Sequence, residues 1–503
     1  MFAYILHLQS SLGPLFFSAV LAVILTACST NPETGKSSFT GFMSPVQEAK
    51  LGAQEHPKLL GYFGGLYPEE HLAKYINSIG SRLLAASGNS EMKFQFTVLN
   101  DPKVNAFALP GGYIYVTRGL IALAEDEAEL AGVIAHEIAH VLARHTAERY
   151  SQAVAANIGL ATLGAVAPTI GIPVRGVGRL VSFGAEAALR AYSRSQELEA
   201  DMLAVRYMNS LGYDPAALIN FFVKLEREKR LRSKKIHSSG NISIYQSILS
   251  THPRTKDRIR QAVELNRTML TRKPKRRREN FLSFVDGMLF GSGRRDGFFK
   301  GHTFYHPHLG FSFDMPIGFQ VENLEKAVVA SNSSNTKITF DLEVPPKTDR
   351  HIDLVNYLRK GNEKSFVFSS IEMIKVNGME AVVGSGSISF GLGKSKHIKR
   401  VIIRSNNFTL FRFTLITSRQ LLTKVDSKFR QTVYSFRLLS PRESAQIKPN
   451  KIRVVRVTTN DSIASLASRM PFGSFNEHWF KVLNTNVVDD GLAVGEKVKL
   501  VVD

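Results

Sequence analysis

The chain of 503 residues contains one cysteine, Cys28. A single cysteine cannot close an intramolecular disulfide, so the fold does not depend on oxidation. Acidic residues are scarce: 43 Asp and Glu face 64 Lys and Arg, for a net charge of +21. That imbalance suggests either an anionic neighbour, such as phospholipid or lipopolysaccharide, or a plain solvated basic surface. The basic residues are dispersed and no nucleic-acid motif accompanies them, so nucleic acid is not an expected partner. Long apolar runs are also lacking. Leu15 to Leu25 has the length of a signal core and is too short for a comfortable membrane span. Residues 1–14 contain no Lys or Arg, only His7. What remains, 44% hydrophobic and 21% charged, is ordinary globular composition with room for roughly two to four domains.

Against that background one stretch stands out: His136-Glu137-Ile138-Ala139-His140. Asp126 with Glu129 three residues on fits a capping box, and the Ala-, Leu- and Glu-rich run that follows predicts a helix. Leu130, Val133, Ile134, Ile138, Val141 and Leu142 leave that helix little polar surface. Residues four apart share a helical face, so His136 and His140 can both direct an imidazole at one tetrahedral Zn²⁺. Glu137 lies beside that face, placed to take the proton of an attacking water. His145, five residues past His140, is expected to face elsewhere.

A second helix is predicted from Ala185 to Ser210, ended by Gly212. Glu197, Ala200, Asp201 and Ala204 fall on one stripe of it. The small residues allow close approach to another helix, and the two carboxylates would repel unless a cation or a histidine N–H compensates them. Glu197 is therefore expected to be the third zinc ligand. Asp201 is expected behind the ligands, holding an imidazole in the correct tautomer, and Glu199 is expected to point away.

Ahead of the zinc helix, Pro110-Gly111-Gly112 reads as a turn and Tyr113-Ile114-Tyr115-Val116 as a strand. That strand is either the edge of the cleft, offering backbone hydrogen bonds to an extended peptide, or an ordinary hairpin strand. Asn105 to Gly119, followed by the helix running from His136 to His145, resembles the CaaX prenyl protease/HtpX family of zinc metallopeptidases. Within it the chain is similar to the periplasmic, BepA-like branch, which the Asn31-Pro32-Glu33-Thr34-Gly35 stretch also resembles. The resemblance covers roughly residues 29–265. Its Glu-x-x-Ala-Asp pattern falls on Glu197 and Asp201. It also implies a site role for the His252-Pro253 pair, with His252 stabilising an oxyanion or occupying the fourth zinc position as a gate; capping of the next helix is the other reading. The tetratricopeptide repeats common after such domains are absent, since no period of about 34 residues is visible.

Leu25-Thr26-Ala27-Cys28 resembles the bacterial lipoprotein cleavage box, which implies lipidation at Cys28 and export, with Ser29 resembling proteins passed on to the outer membrane. An uncleaved apolar anchor is the alternative. The segment 153–183, small and apolar with Pro168 and Pro173, reads as a lid over the cleft or as core packing. Arg272 to Arg278 reads as a solvated linker, with contact to lipid headgroups as the alternative. Residues 300–440 alternate strands with the helical runs 352–360 and 418–434, a curved antiparallel sheet with packed helices that loosely resembles Mog/PsbP-like shapes. The end of the chain follows a strand–helix–helix–strand pattern that resembles LysM modules, which bind peptidoglycan. Its Pro471–Trp479 insert departs from that pattern.

The expected architecture is multidomain: a mainly α-helical, gluzincin-like metallopeptidase domain with a small β-sheet, then an α+β domain, then a small LysM-like α+β module. The expected boundaries are 1–28 signal peptide, 29–45 tether, 46–270 metallopeptidase, 271–300 basic linker, 301–440 α+β domain and 451–503 LysM-like module. The expected function is zinc-dependent endopeptidase action on envelope proteins in quality control. A chaperone-like or scaffold role at the outer membrane or peptidoglycan is the rival. Expected partners are protein substrates, the outer-membrane assembly machinery, the membrane through a lipid anchor, and peptidoglycan.

Overall fold

The computed structural model describes residues 28–30, 34–166, 191–237, 248, 252, 256–265, 273–324, 326–344, 353–360, 366–389, 395–405 and 409–503. The export signal, apart from Cys28, and the 153–183 segment beyond Val166 lie outside them. The chain divides into two compact units. One comprises Met1–Leu225, Gln246–Asp286 and Leu483–Ala493; the other comprises Glu226–Tyr245, Gly287–Val482 and Val494–Asp503. Among the described residues no helix is long and apolar enough to cross a membrane.

The first unit opens with a short hairpin, β1 (Cys28–Thr30) and β2 (Ser37–Phe39). Helices α1 (Pro45–Tyr62) and α2 (Glu70–Ala86) follow, then strands β3 (Gln95–Leu99), β4 (Ala106–Leu109) and β5 (Tyr113–Thr117). Ser44 and Gln47 close a capping box at the start of α1. Only glycine fits at position 52, because a Cβ there would stand 2.0 Å from the Pro110 carbonyl oxygen. The sheet order is β3-β5-β4. β5 runs parallel to β3 and antiparallel to β4.

This order corrects one expectation. Tyr113–Val116 is the central strand and not the edge of a cleft. The Gly111-Gly112 turn, with both φ angles positive, folds β5 back onto β4, and β3 takes its other side. Ile114, Tyr115 and Val116 are buried accordingly.

Five helices carry the unit further: α3 (Arg118–Leu123), α4 (Glu127–Leu142), α5 (His145–Val166), α6 (Arg194–Ser210) and α7 (Ala216–His237), the last running on into the second unit. Helices α8 (Lys256–Leu265) and α9 (Arg278–Val285) complete this stretch. α4 is buried along almost its whole length. The Asp126 carboxylate accepts the Glu129 N–H at 2.8 Å, and the acidic first turn suits the positive end of the helix.

That turn is held by a charge network. Glu127 accepts from Tyr75 at 2.6 Å, from Arg82 at 2.9 Å, from Arg277 at 3.2 Å and from Tyr213. Glu129 accepts from Lys224 at 2.7 and 2.9 Å. Arg276 reaches Asp126 at 3.2 Å and Asp214 at 2.8 Å. Arg276 and Arg277 are thus tied to buried acids of this unit, where a solvated linker was expected. The charge run has partners because the turn it faces is acidic.

The C-terminal stretch 483–493 belongs to the same unit. The backbone N–H of Asn486 points at both oxygens of Glu125 at 3.1 Å, and its side-chain amide donates to Glu129 at 3.0 Å and accepts from Asn220 at 3.1 Å.

The second unit contains strands β6 (Phe298–Lys300), β7 (Thr303–His306), β8 (Phe311–Asp314), β9 (Gln320–Asn323), β10 (Ala327–Ser331), β11 (Lys337–Glu343), β12 (Phe366–Val376), β13 (Met379–Ser389), β14 (Ser395–Arg404), β15 (Leu410–Thr417) and β16 (Arg437–Leu438). They form a seven-stranded antiparallel sheet, order β12-β13-β14-β15-β11-β10-β9, and a four-stranded one, order β16-β8-β7-β6. Phe304, Phe311, Phe313, Phe340, Phe411, Phe413 and Phe436 form one core with Phe429 of the helix Leu422–Ser435. The helix Leu354–Lys360 packs Leu354 and Leu358 on Val382 and Ile402. Aromatic and β-branched residues favour such half-buried pleated faces. At the chain end, β17 (Lys451–Arg456) pairs antiparallel with β18 (Lys497–Val502). Between them lie the helices Ile463–Ala467, Asn476–Leu483 and Thr485–Asp490. In the Pro471–Trp479 insert, Phe472 lies 5.3 Å from the Trp479 ring.

Candidate metal centre

Four side chains from three parts of the first unit meet in its interior: His136 and His140 of α4, Glu197 of α6, and His252. One donor atom from each lies within 4.8 Å of the others, and all four residues are buried. His136 Nε2 and His140 Nε2 are 2.8 Å apart. Glu197 approaches them at 3.8 and 3.4 Å. Ser193 and Gln196 form a capping box that starts α6, which puts Glu197 in its first turn. Ala200 and Ala204 are buried and let α6 close on α4.

The outer partners decide the tautomers. His136 Nδ1 stands 2.9 Å from Asp201 Oδ1, and a carboxylate there calls for a proton on Nδ1. His140 Nδ1 is 2.8 Å from His145 Nδ1. With both Nδ1 atoms protonated, two Nε2 lone pairs face each other beside a carboxylate. Such a donor set repels itself unless a cation sits among it, and it matches the imidazole and carboxylate preferences of zinc.

The electrostatics agree. Burial pushes the Glu197 carboxyl up, but His252, His140 and His136 outweigh it and hold it well below the usual carboxylate range. Burial lowers His140 well below an ordinary histidine, against the pull of Glu197. A carboxylate and a neutral imidazole are protonation states that metal ligation requires.

Glu137 is fully buried on α4. His252 Nε2 stands 3.5 Å from Glu137 Oε1, and His252 Nδ1 is 2.8 Å from Glu197 Oε1. The His252 imidazole therefore lies between the expected base and the expected third ligand. Its backbone is held by the turn from Ile248, which donates to the Val104 carbonyl at 3.1 Å. Cys28, the expected lipidation site, lies in β1, in the same unit but outside this group.

Three residues at the site escaped sequence reasoning. His145 was expected to face away, yet it touches His140. The helix ends at Leu142, and Arg144 takes a left-handed conformation (φ 53) that turns His145 inward. Arg144 is fixed there by Glu48 at 3.0 Å and the Met43 carbonyl at 2.6 Å. Glu199 is buried and lies 3.6 Å from His145 Nε2. Tyr192 stacks on His140 with ring centroids 3.8 Å apart, and its other side carries the Arg149 guanidinium at 4.0 Å. Only the position of Tyr192 and Glu199 on or beside the carboxylate helix could have drawn attention to them.

A buried His-Glu-x-x-His helix facing a glutamate on a second helix defines the zinc metallopeptidase class. Residues 70–266 match the model of peptidase family M48. It is 30% identical over 254 residues to the beta-barrel assembly-enhancing protease of Yersinia pestis, covering 50% of each chain. It is 30% identical over 221 residues to the mitochondrial metalloendopeptidase OMA1 of Schizosaccharomyces pombe, covering 43% of this chain and 60% of that one. The chain spans about half the length of the curated relatives it matches. Among solved structures, the PsbP protein of Synechocystis aligns with 27% of this chain and 91% of its own at 16% identity, with a TM-score of 0.23. That likeness is too slight to assign a fold.

Proposed function

We propose that this chain is a zinc-dependent endopeptidase of the cell envelope. His136, His140 and Glu197 hold the ion, and Asp201 orients His136. Zinc, when bound, supplies the Lewis acidity that makes water acidic and polarises a peptide carbonyl. Glu137 takes a proton from the attacking water and delivers it to the leaving amine. The observation that carries this reading is the pair of Nε2 atoms 2.8 Å apart beside a buried carboxylate. The test is Glu137→Gln, which keeps one zinc per chain and loses casein cleavage. Unchanged cleavage would remove Glu137 from the mechanism. Loss of cleavage with envelope function retained would favour the scaffold reading.

His252 acts as a gate. Its contacts with both Glu197 and Glu137 support a resting site in which the imidazole must move before substrate is cut. His252→Ala is expected to raise kcat on unfolded casein; a fall would favour an oxyanion role instead. Lipidation at Cys28, attachment to the outer membrane and work beside its assembly machinery in quality control complete the proposal. The name of the Yersinia relative supports that setting.

The β17–β18 pair with its helices is read as a LysM-like module that contacts peptidoglycan, while the sheet domain before it positions the client. Deleting residues 451–503 would also remove Asn486 from the peptidase unit. The peptidoglycan reading is therefore tested by sedimenting the full chain with purified sacculi, with and without soluble glycan as competitor. A chain that stays in the supernatant in both cases would refute it.

A further inference from the structure

We infer that Thr34 and Lys36, in the segment ahead of the peptidase domain, are positioning residues for the metal ligand His140, acting through Glu199 and His145. The inference rests on the zinc-site reading above. Thr34 and Lys36 flank Gly35, whose positive φ of 68° turns the chain between β1 and β2. Both direct their side chains at one carboxylate: Thr34 Oγ1 donates to Glu199 Oε1 at 2.7 Å, and Lys36 Nζ to Glu199 Oε2 at 2.8 Å. Glu199 is only 8% exposed, whereas Lys36 is 40% exposed. A lysine–glutamate pair on an open surface contributes little. Here the acceptor is buried, and the oxygen that takes Lys36 also faces His145.

Proton accounting sets donor and acceptor along the chain of contacts. His140 Nε2 belongs to the ligand group, so its proton sits on Nδ1 and points at His145 Nδ1, 2.8 Å away. His145 must accept there, which leaves its own proton on Nε2. That N–H faces Glu199 Oε2 at 3.6 Å. Glu199 accepts from Thr34 on Oε1 and from Lys36 on Oε2, which fixes the carboxylate that His145 faces. The reverse arrangement would put a proton on His140 Nε2, where the metal must bind. The histidine protons therefore point outward from the metal ligand, the Thr34 and Lys36 donors point inward, and both sets end on Glu199. Carboxylates behind a ligating histidine fix its ring and raise its basicity. His136 has Asp201 directly in that place, while His140 has Glu199 one imidazole further out, secured by the N-terminal segment.

The test compares Thr34→Val combined with Lys36→Met, Thr34→Ser, and the wild-type chain. The readouts are zinc release to a chelator, the visible spectrum of the Co²⁺-loaded protein, and kcat and KM on a peptide substrate. The double variant is expected to release zinc about tenfold faster and to lose about tenfold in kcat at unchanged KM, with a shifted Co²⁺ spectrum, as for loss of other outer partners of a metal ligand. Thr34→Ser, which keeps the donor, is expected to match wild type. A double variant indistinguishable from wild type in zinc release and spectrum overturns the inference, as does a Thr34→Ser protein as impaired as the double variant. A wild-type chain that takes up no stoichiometric zinc overturns the site reading itself and is recognised before any variant is compared.

Discussion

Replacing Lys224 with methionine removes one ammonium from the buried network at the start of the zinc helix and keeps the apolar stem of the side chain. Lys224, Glu125 and Glu129 are all fully buried, with Lys224 Nζ 2.7 Å from Glu129 and 3.2 Å from Glu125. Burial pushes the ammonium down, but Glu125 and Glu129 outweigh it and raise its pKa above the ordinary lysine value. At an effective dielectric of about 20, a contact at 2.7 Å represents about 6 kcal/mol of gross attraction, most of it offset by desolvation. Breaking such a pair from one side leaves two uncompensated carboxylates and costs about 3–5 kcal/mol. For a unit of this size that lowers Tm by about 6–20 °C. Calorimetry of the full chain reads it, and the peptidase transition is the one that added zinc moves upward. Glu129→Gln in the same chain removes one stranded charge and keeps one acceptor oxygen, for either Asn486 or the Glu125 N–H, so it should restore part of the loss. A Lys224→Met shift below about 2 °C, or strict additivity in the double variant, would refute the reasoning.

Other outcomes follow from the same geometry. Asn486→Ala removes a hydrogen bond to a buried carboxylate and should destabilise the zinc-responsive transition by about 1.5–3 kcal/mol, although Asn486 lies near the end of the chain. Arg144→Ala loses the anchors to Glu48 and Met43 and keeps the left-handed strain, so it should melt below Arg144→Gly, which loses the anchors but relieves the strain; equal melting temperatures would contradict this. In the second unit, burial holds His306 down to about 4, against about 6.5 for a free histidine. The folded imidazole stays neutral while the unfolded one takes a proton. The zinc-insensitive transition should therefore lose stability as the pH falls from about 6.5 to about 4, and His306→Gln should flatten that slope.

The part of the site that sequence made legible is the part held in regular helices. His136 and His140 share a face because the helical period says so, and Asp126 marks the helix start. The stripe of Glu197, Ala200, Asp201 and Ala204 was readable in the same way. His145 was not, because its direction depends on a left-handed arginine, and nothing local distinguishes Arg144 from a helical residue. The place of β5 in its sheet was hidden because strand order is a tertiary property, whereas the Pro110-Gly111-Gly112 turn was local and visible. Arg276 and Arg277 read as solvated because their partners Asp126, Glu127 and Asp214 are distant in sequence. Asn486 was read with the C-terminal module around it, and only folding brings it to Glu125 and Glu129. In the second unit, the main strands of the sheet domain were visible as aromatic and β-branched runs, and the packing of eight phenylalanines into one core was not.

Zinc stoichiometry, measured together with casein cleavage in wild type and Glu197→Ala, bears most directly on the proposed site. One zinc per wild-type chain, cleavage abolished by a chelator and restored by zinc, and loss of both metal and cleavage in Glu197→Ala are the predicted results. A Glu197→Ala protein that retains one zinc per chain and full cleavage would contradict the ligand set and the mechanism built on it.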